Sequence, residues 1–146
     1  MKAQIARNIR DRCDAHIVDH SGVLVGEVAI YTLSDPRDIR LVRYVGQTQS
    51  PRKRYLQHVG AAKLCLPDDL PWWIKQPKKR PLYEWIRNLY RDERRLPVMA
   101  VVAWTDPQHA LSEERRHILE LLGHQLPLLN RESEFSAKQP RRQRAA

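Results

Sequence analysis

Tyr31, Tyr44, Arg54, His58 and Glu114 are the side chains of this sequence whose types and spacing suit the hydrolysis of a phosphate ester. Arg54 and His58 are four apart, so on a helix they share a face. Tyr31 and Tyr44 lie in two β-rich runs, "VAIYTL" and "LVRYVG". Phenols on paired strands that share a face meet at one patch. Leu111, Ile118 and Leu122 mark the apolar stripe of a later helix; Glu114 falls inside that stripe, and Glu113 points to the opposite side. A carboxylate on an apolar face costs free energy unless it is paired, with Arg54 as one candidate partner, or binds a cation. Each group has a plainer reading: packing for the tyrosines, a solvated helix edge for the Arg–His pair, a salt bridge for the glutamate. Together they supply a carboxylate to hold a divalent ion, a guanidinium to steady charge at phosphorus, and a phenol or imidazole to orient and deprotonate water.

Several elements must position these groups. Ile5, Ile9, Cys13 and Ile17 recur every fourth residue and predict a short amphipathic helix over about 3–17, broken at Ser21-Gly22. Val23 to Ser34 predicts a strand, "SDPRD" a turn, and "IRLVRYVGQT" a second strand, forming an antiparallel hairpin. Ser50-Pro51 predicts a helix start, with the helix running to about Lys63. Tyr55, Val59 and Ala62 should face the core, which leaves Arg54 and His58 at the boundary with solvent. Cys65 to Pro81 reads as a long loop. Leu82, Trp85, Ile86, Leu89 and Tyr90 predict the clearest amphipathic helix, ended by Pro97. "VMAVVAW" predicts a buried strand; Asp106-Pro107 should cap a third helix, and Gly123 should end it. The expected fold class is α+β, a small three-stranded, mainly antiparallel sheet flanked by helices. The expected organisation is a helical extension over 1–22, one domain over 23–130, and a basic tail over 131–146 that reads as disordered.

The chain carries 26 Lys+Arg against 17 Asp+Glu, net +9, a surplus that points to a polyanionic partner, nucleic acid first. Arg52 and Lys53 open the helix that carries Arg54. Lys75, Lys78, Lys79 and Arg80 cluster beside Trp72 and Trp73 in "PWWIKQPKKRP". These six cations are candidate phosphate contacts, and the tryptophans either stack on bases or fill the core. Two cysteines make no disulfide framework. With no apolar run long enough to span a bilayer and no signal-peptide core, a cytoplasmic protein that does not engage membranes is expected. Cys13, His16 and His20 make a partial zinc spacing without a fourth ligand and read as a helix end with exposed imidazoles.

"AIYTL", then "YVGQT", then Arg54-x-x-x-His58 resembles the GIY-YIG nuclease family, and "ALSEERRHILELLGHQLPLLN" resembles that family's third helix and closing segment. The likeness spans roughly residues 28 to 130. It implies metal-dependent cleavage of DNA phosphodiesters with Mg²⁺ or Mn²⁺. Tyr31 and Tyr44 match the motif tyrosines, and either is a candidate to activate water with His58. Glu114 matches the metal ligand, and Asn130 matches the asparagine that closes the site. Ala29 stands where the family has glycine and Val45 where it has isoleucine; neither change removes a reacting group. The alternative is a non-catalytic nucleic-acid-binding module that keeps the nuclease fold. With one site per chain, a double-strand break would require a homodimer, a partner or two encounters.

Overall fold

The structure of the protein is a computed structural model, which describes residues 16–21, 26–64 and 80–131. Outside them lie most of the expected N-terminal helix, Cys13, the loop residues Cys65, Trp72, Trp73, Lys75, Lys78 and Lys79, and the basic tail from 132 onward.

The fold is α+β. β2 (Val28–Asp35) and β3 (Asp38–Thr48) form the expected hairpin. Asp35 closes its turn by accepting hydrogen bonds from the Arg37 backbone N–H and guanidinium, both at 2.8 Å. β4 (Val98–Thr105) pairs antiparallel with the other edge of β2. The expectation of three strands is corrected by β1 (Ile17–Asp19), which runs parallel to β4 and makes the sheet four-stranded and mixed, in the order β1-β4-β2-β3. Ile17 completes a helical periodicity with residues before it, but Ile17 and Val18 are β-branched and find strand partners in Met99 and Ala100. A ladder partner, invisible in the local pattern, decides such a residue.

α1 (Pro51–Ala62) starts as expected, and α2 (Pro81–Glu93) takes in Pro81, assigned to the loop before it; both have proline in the first turn, where its missing N–H costs nothing. α3 (Ala110–Gly123) starts later than Asp106-Pro107 suggests. Residues 107–109 form a turn, and Asp106 accepts from the His109 backbone N–H (3.0 Å), so the aspartate caps the turn before the helix.

The helices sandwich the sheet. Tyr31, Leu33 and Tyr44 face α1 and α2, where they pack with Tyr55, Val59, Ala62, Leu82, Tyr83 and Ile86. Ile30 and Val45 face α3 and pack around Ile118. The buried stripe of α3 keeps the expected Ile118 and Leu122 and has Ala110 in place of Leu111. Ala110, Ile118, Leu121 and Leu122 turn inward, and Leu111 is 54% exposed. Ala110, Glu114 and Ile118 are successive i, i+4 positions, so Glu114 stays on the inner side when Leu111 leaves it. β4, expected to be buried throughout, is fully covered only at Met99 and Val101.

β3 is an edge strand, and its free edge is covered by the chain leaving α3. Leu129 N–H donates to the Arg43 carbonyl at 2.5 Å. The Asn130 amide closes a two-point contact with Val45, accepting from its N–H (3.0 Å) and donating to its carbonyl (2.8 Å). Covering an edge this way satisfies backbone groups that would otherwise pair with another chain.

Candidate active site

The hairpin register sets Tyr31 opposite Gly46 and Leu33 opposite Tyr44, so both phenols lie on the face toward α1 and α2. Their ring centroids are 6.2 Å apart. Pairing between β2 and β4 shifts between Ile30 and Tyr31, where β4 holds one extra residue, Val102. Gly46 is required opposite Tyr31. A Cβ on it would stand 2.5 Å from the Tyr31 hydroxyl, so the phenol crosses the strand where any other residue would collide with it. Ala29, at the second position of β2, is fully buried.

α1 brings its Arg–His pair onto these rings. His58 Nε2 lies 2.6 Å from the Tyr31 hydroxyl, and Arg54 Nε–H donates to the same oxygen at 3.4 Å. Tyr44 meets the His58 ring edge-on at 5.4 Å, and Tyr83 of α2 lies at 6.2 Å. The expectation that His58 sits at the solvent boundary is corrected: it is 1% exposed, a core residue among tyrosines. Tyr55, Val59 and Ala62 are buried as expected.

Burial shapes both titrations. His58 is pushed down to about 3, by burial first and then by the positive charges of Arg54 and Arg80. Burial, the Tyr44 phenol and the negative charge of Glu114 hold the Tyr31 proton well above the usual phenol range, and the Arg54 hydrogen bond opposes them. At neutral pH the imidazole is therefore neutral and carries one N–H. His58 Nδ1 is buried with no hydrogen-bond partner. With the proton on Nε2 the imidazole donates to the Tyr31 oxygen, and with it on Nδ1 the Nε2 accepts from the Tyr31 O–H; each arrangement leaves one buried donor to satisfy. Arg54 Nε–H donates to the same oxygen in both.

Glu114 reaches the sheet from the opposite layer. Gln47 Nε2 donates to its Oε2 at 2.5 Å. Gln47 pairs with Ile30 and so faces α3, one residue beyond the glycine against which Tyr31 packs. The carboxylate is half-buried, and its charge registers at Tyr31. The suggested partner Arg54 instead donates to Tyr31 and, at 3.4 Å, to Gln57. Glu113 turns outward and pairs with Arg116 at 2.9 Å. Among the described residues no three His, Cys, Asp or Glu side chains group as metal ligands. One carboxylate fits Mg²⁺ or Mn²⁺ only when water and a substrate phosphate supply the remaining oxygens, as hard cations in phosphoryl chemistry commonly accept.

Asn130 does not project into the cluster; it fixes the backbone of Val45, between Tyr44 and Gly46. Arg52 and Lys53 are exposed in the first turn of α1. Arg80, at the N-cap of α2, lies over the Tyr44 ring at 5.7 Å. His16 is stacked on Tyr55 at 6.0 Å, not exposed, and it precedes a strand in place of the expected helix end; His20 is exposed. Sequence reasoning missed Gln47, Gly46 and Tyr83. Strand alternation from Val45 identifies the face of Gln47, but nothing local says that Glu114 waits there. No family model, no curated protein and no solved structure matches this chain.

Proposed function

We propose that this protein is a divalent-metal-dependent DNA endonuclease of the GIY-YIG type. The observation that carries the reading is the contact of Tyr31, His58 and Arg54 at a single buried oxygen. A polar knot of this kind inside a core is expensive to build and supplies groups that phosphodiester hydrolysis requires. The net charge of +9 suits a nucleic-acid substrate.

Tyr31 is the better placed of the two tyrosines to take a proton from water. Once its own proton has passed to solvent, the Tyr31 oxygen is held by the Arg54 N–H and by His58 in the tautomer that carries its proton on Nε2. The phenolate accepts a proton from water as the water oxygen attacks phosphorus, and the P–O bond to the leaving oxygen breaks. Tyr44 packs edge-on against His58 and keeps the imidazole aimed. Arg54 stays close enough to share the charge that develops on the phosphate. Glu114 would hold Mg²⁺ or Mn²⁺; such a cation polarises a phosphate oxygen and offsets the carboxylate charge that opposes ionisation of Tyr31. Gln47 orients that carboxylate, and Asn130 keeps β3 in register beneath both.

The test is nicking of plasmid DNA with Mg²⁺ or Mn²⁺ by the parent protein and by Glu114→Ala, with end-labelled product to map strand and position. The variant should lose at least about a hundredfold in rate. Equal cutting by both removes the metal role from Glu114. A non-catalytic binding module is the second reading, favoured by the single carboxylate; retarded DNA without metal-dependent nicking would establish it.

A further inference from the structure

Arg43 belongs to no motif that suggested the site, and the sheet treats it as an exception. The hairpin pairs Leu33 with Tyr44 and Ser34 with Val42, so Arg43 is the extra residue of a bulge in the edge strand β3. Strict alternation would put it on the α3 face with Val45. The bulge turns it toward α2 instead, where its guanidinium lies over the Trp85 ring at 5.8 Å. There a cavity of about 320 Å³ opens between α2 and the β3 edge. Trp85, Leu89 and Leu129 give it apolar surface, and Glu84, Asp92 and Glu93 give it an acidic side. Arg43 Nε is buried and finds no acceptor among the described residues. A buried donor without an acceptor destabilises, and a ligand that supplies one removes the penalty. Burial pulls the Arg43 guanidinium below its ordinary range, and Asp35 is the carboxylate whose charge opposes this. Asp35 is itself held by Arg37 at 2.8 Å. The acidic side of the cavity does not register at Arg43, so the two stand apart across it. Asp92 pairs with Arg91 at 3.3 Å and Glu93 with Arg37 at 3.6 Å, while Glu84 has no ion pair among the described residues.

We infer that this cavity takes a single unstacked guanine base of a nucleic-acid strand, with Arg43 on its O6 and N7 and Glu84 on its N1–H and N2 amine. Guanine has one edge with two adjacent acceptors, which a guanidinium fork meets bidentately, and another edge with donors, which a carboxylate accepts. Adenine puts an amine where guanine has O6 and so turns a donor against Arg43. A bare phosphate would satisfy Arg43 but meets Glu84, Asp92 and Glu93 as like charges. Trp85, Leu89 and Leu129 offer surface that any base could lie against, so the two polar ends carry the choice. A base enters a cleft of this kind from a single strand or a distorted duplex, where its edges are free. Arg43 is the chain neighbour of Tyr44, so a base seated there sets its strand beside the candidate active site. The inference rests on the nucleic-acid partner of the proposed function and not on cleavage.

The test is fluorescence anisotropy of a labelled oligothymidine that carries one central guanine, adenine, 7-deazaguanine or hypoxanthine base, in EDTA so that no metal-dependent cutting intervenes. The parent should bind the guanine strand about tenfold tighter than the adenine strand. 7-Deazaguanine lacks N7 and should lose most of that preference; hypoxanthine lacks the N2 amine and should lose part of it. These arms use the parent protein and do not depend on any variant folding. Arg43→Lys keeps the charge but not the planar fork, so it should bind the adenine strand as the parent does and no longer prefer guanine. The unchanged adenine affinity reports that the variant is folded. Glu84→Ala, an exposed position, should bind the guanine and hypoxanthine strands alike. A parent with no guanine preference, or an Arg43→Lys variant that keeps it, overturns the site. A guanine preference without nicking of plasmid DNA leaves the site standing and removes the nuclease reading alone; nicking without the preference does the reverse.

Discussion

The two faces of the sheet are built to different rules. Toward α1 and α2 the core contains Tyr31, Tyr44, Tyr55 and Tyr83 and encloses His58. Toward α3 its fully buried members are the aliphatic Ile30, Val45 and Ile118, with partly buried aliphatic neighbours. A leucine or isoleucine stabilises by burial and asks nothing of its neighbours. A buried phenol asks for a partner at its tip, and here it finds one: Tyr55 donates to the Pro97 carbonyl at 2.9 Å, and Tyr31 meets His58. The aromatic face is thus held by specific contacts and the aliphatic face by area. The chemistry proposed above falls on the face where polar groups are obligatory, with Glu114 at the rim of the plainer layer.

The sharpest way to break this comparison is Tyr31→Phe. It removes the shared oxygen and leaves volume almost unchanged. Nicking should fall by about two to four orders of magnitude. The rise of the parent's rate with pH toward the alkaline range, expected because the Tyr31 proton is held tightly, should flatten in the variant. A variant that keeps both rate and pH profile would return Tyr31 to packing.

Ile118→Ala probes the other face. Ile118 is fully buried and is the principal anchor of α3. Unfolding by urea should show a loss of about 2–5 kcal/mol. The turnover number of the protein that remains folded should fall far less than in Tyr31→Phe, because Ile118 is no reacting group and acts only by seating the helix that carries Glu114. A large fall in turnover at full folding would erase the division between the faces.

The smallest effect is on acid stability. The groups around His58 are Tyr31 of β2, Tyr44 of β3, Arg54 of α1, Tyr83 of α2 and Arg80, none of which favours an imidazolium. Its folded pKa lies below its unfolded value, so below about pH 6.5 the unfolded chain binds a proton that the native state refuses. Stability is therefore full above that pH and declines as pH falls toward 3. Between pH 7 and 5 the loss should be about 2 kcal/mol, read from urea midpoints and before most carboxylates titrate. His58→Gln should flatten that slope; an equal slope in parent and variant would show that His58 is not the source.

Much of the fold is legible locally. The hairpin, the proline start of α1, the amphipathic α2, and the inward Tyr55, Val59 and Ala62 follow from periodicity and turn chemistry. The misreadings share a cause. Ile17 fits a helix by spacing and becomes a strand because β4 offers it a partner. Leu111 fits a buried stripe with Ile118 and Leu122, yet the first turn of α3 meets the core through Ala110 and leaves Leu111 exposed. His58 reads as a helix edge until α2 and two tyrosines close over it.

The sequence by itself determined that a basic chain carries two strand phenols, an Arg–His helical pair and an inward glutamate, because these follow from residue type and from periods of 2 and 3.6. Only the tertiary structure decided that Tyr31, His58 and Arg54 meet at one oxygen, that Gln47 receives Glu114, and that Arg80 joins from the start of α2. Those meetings depend on strand register, on a bulge and on the order of layers, which arise from contacts between residues far apart in the chain.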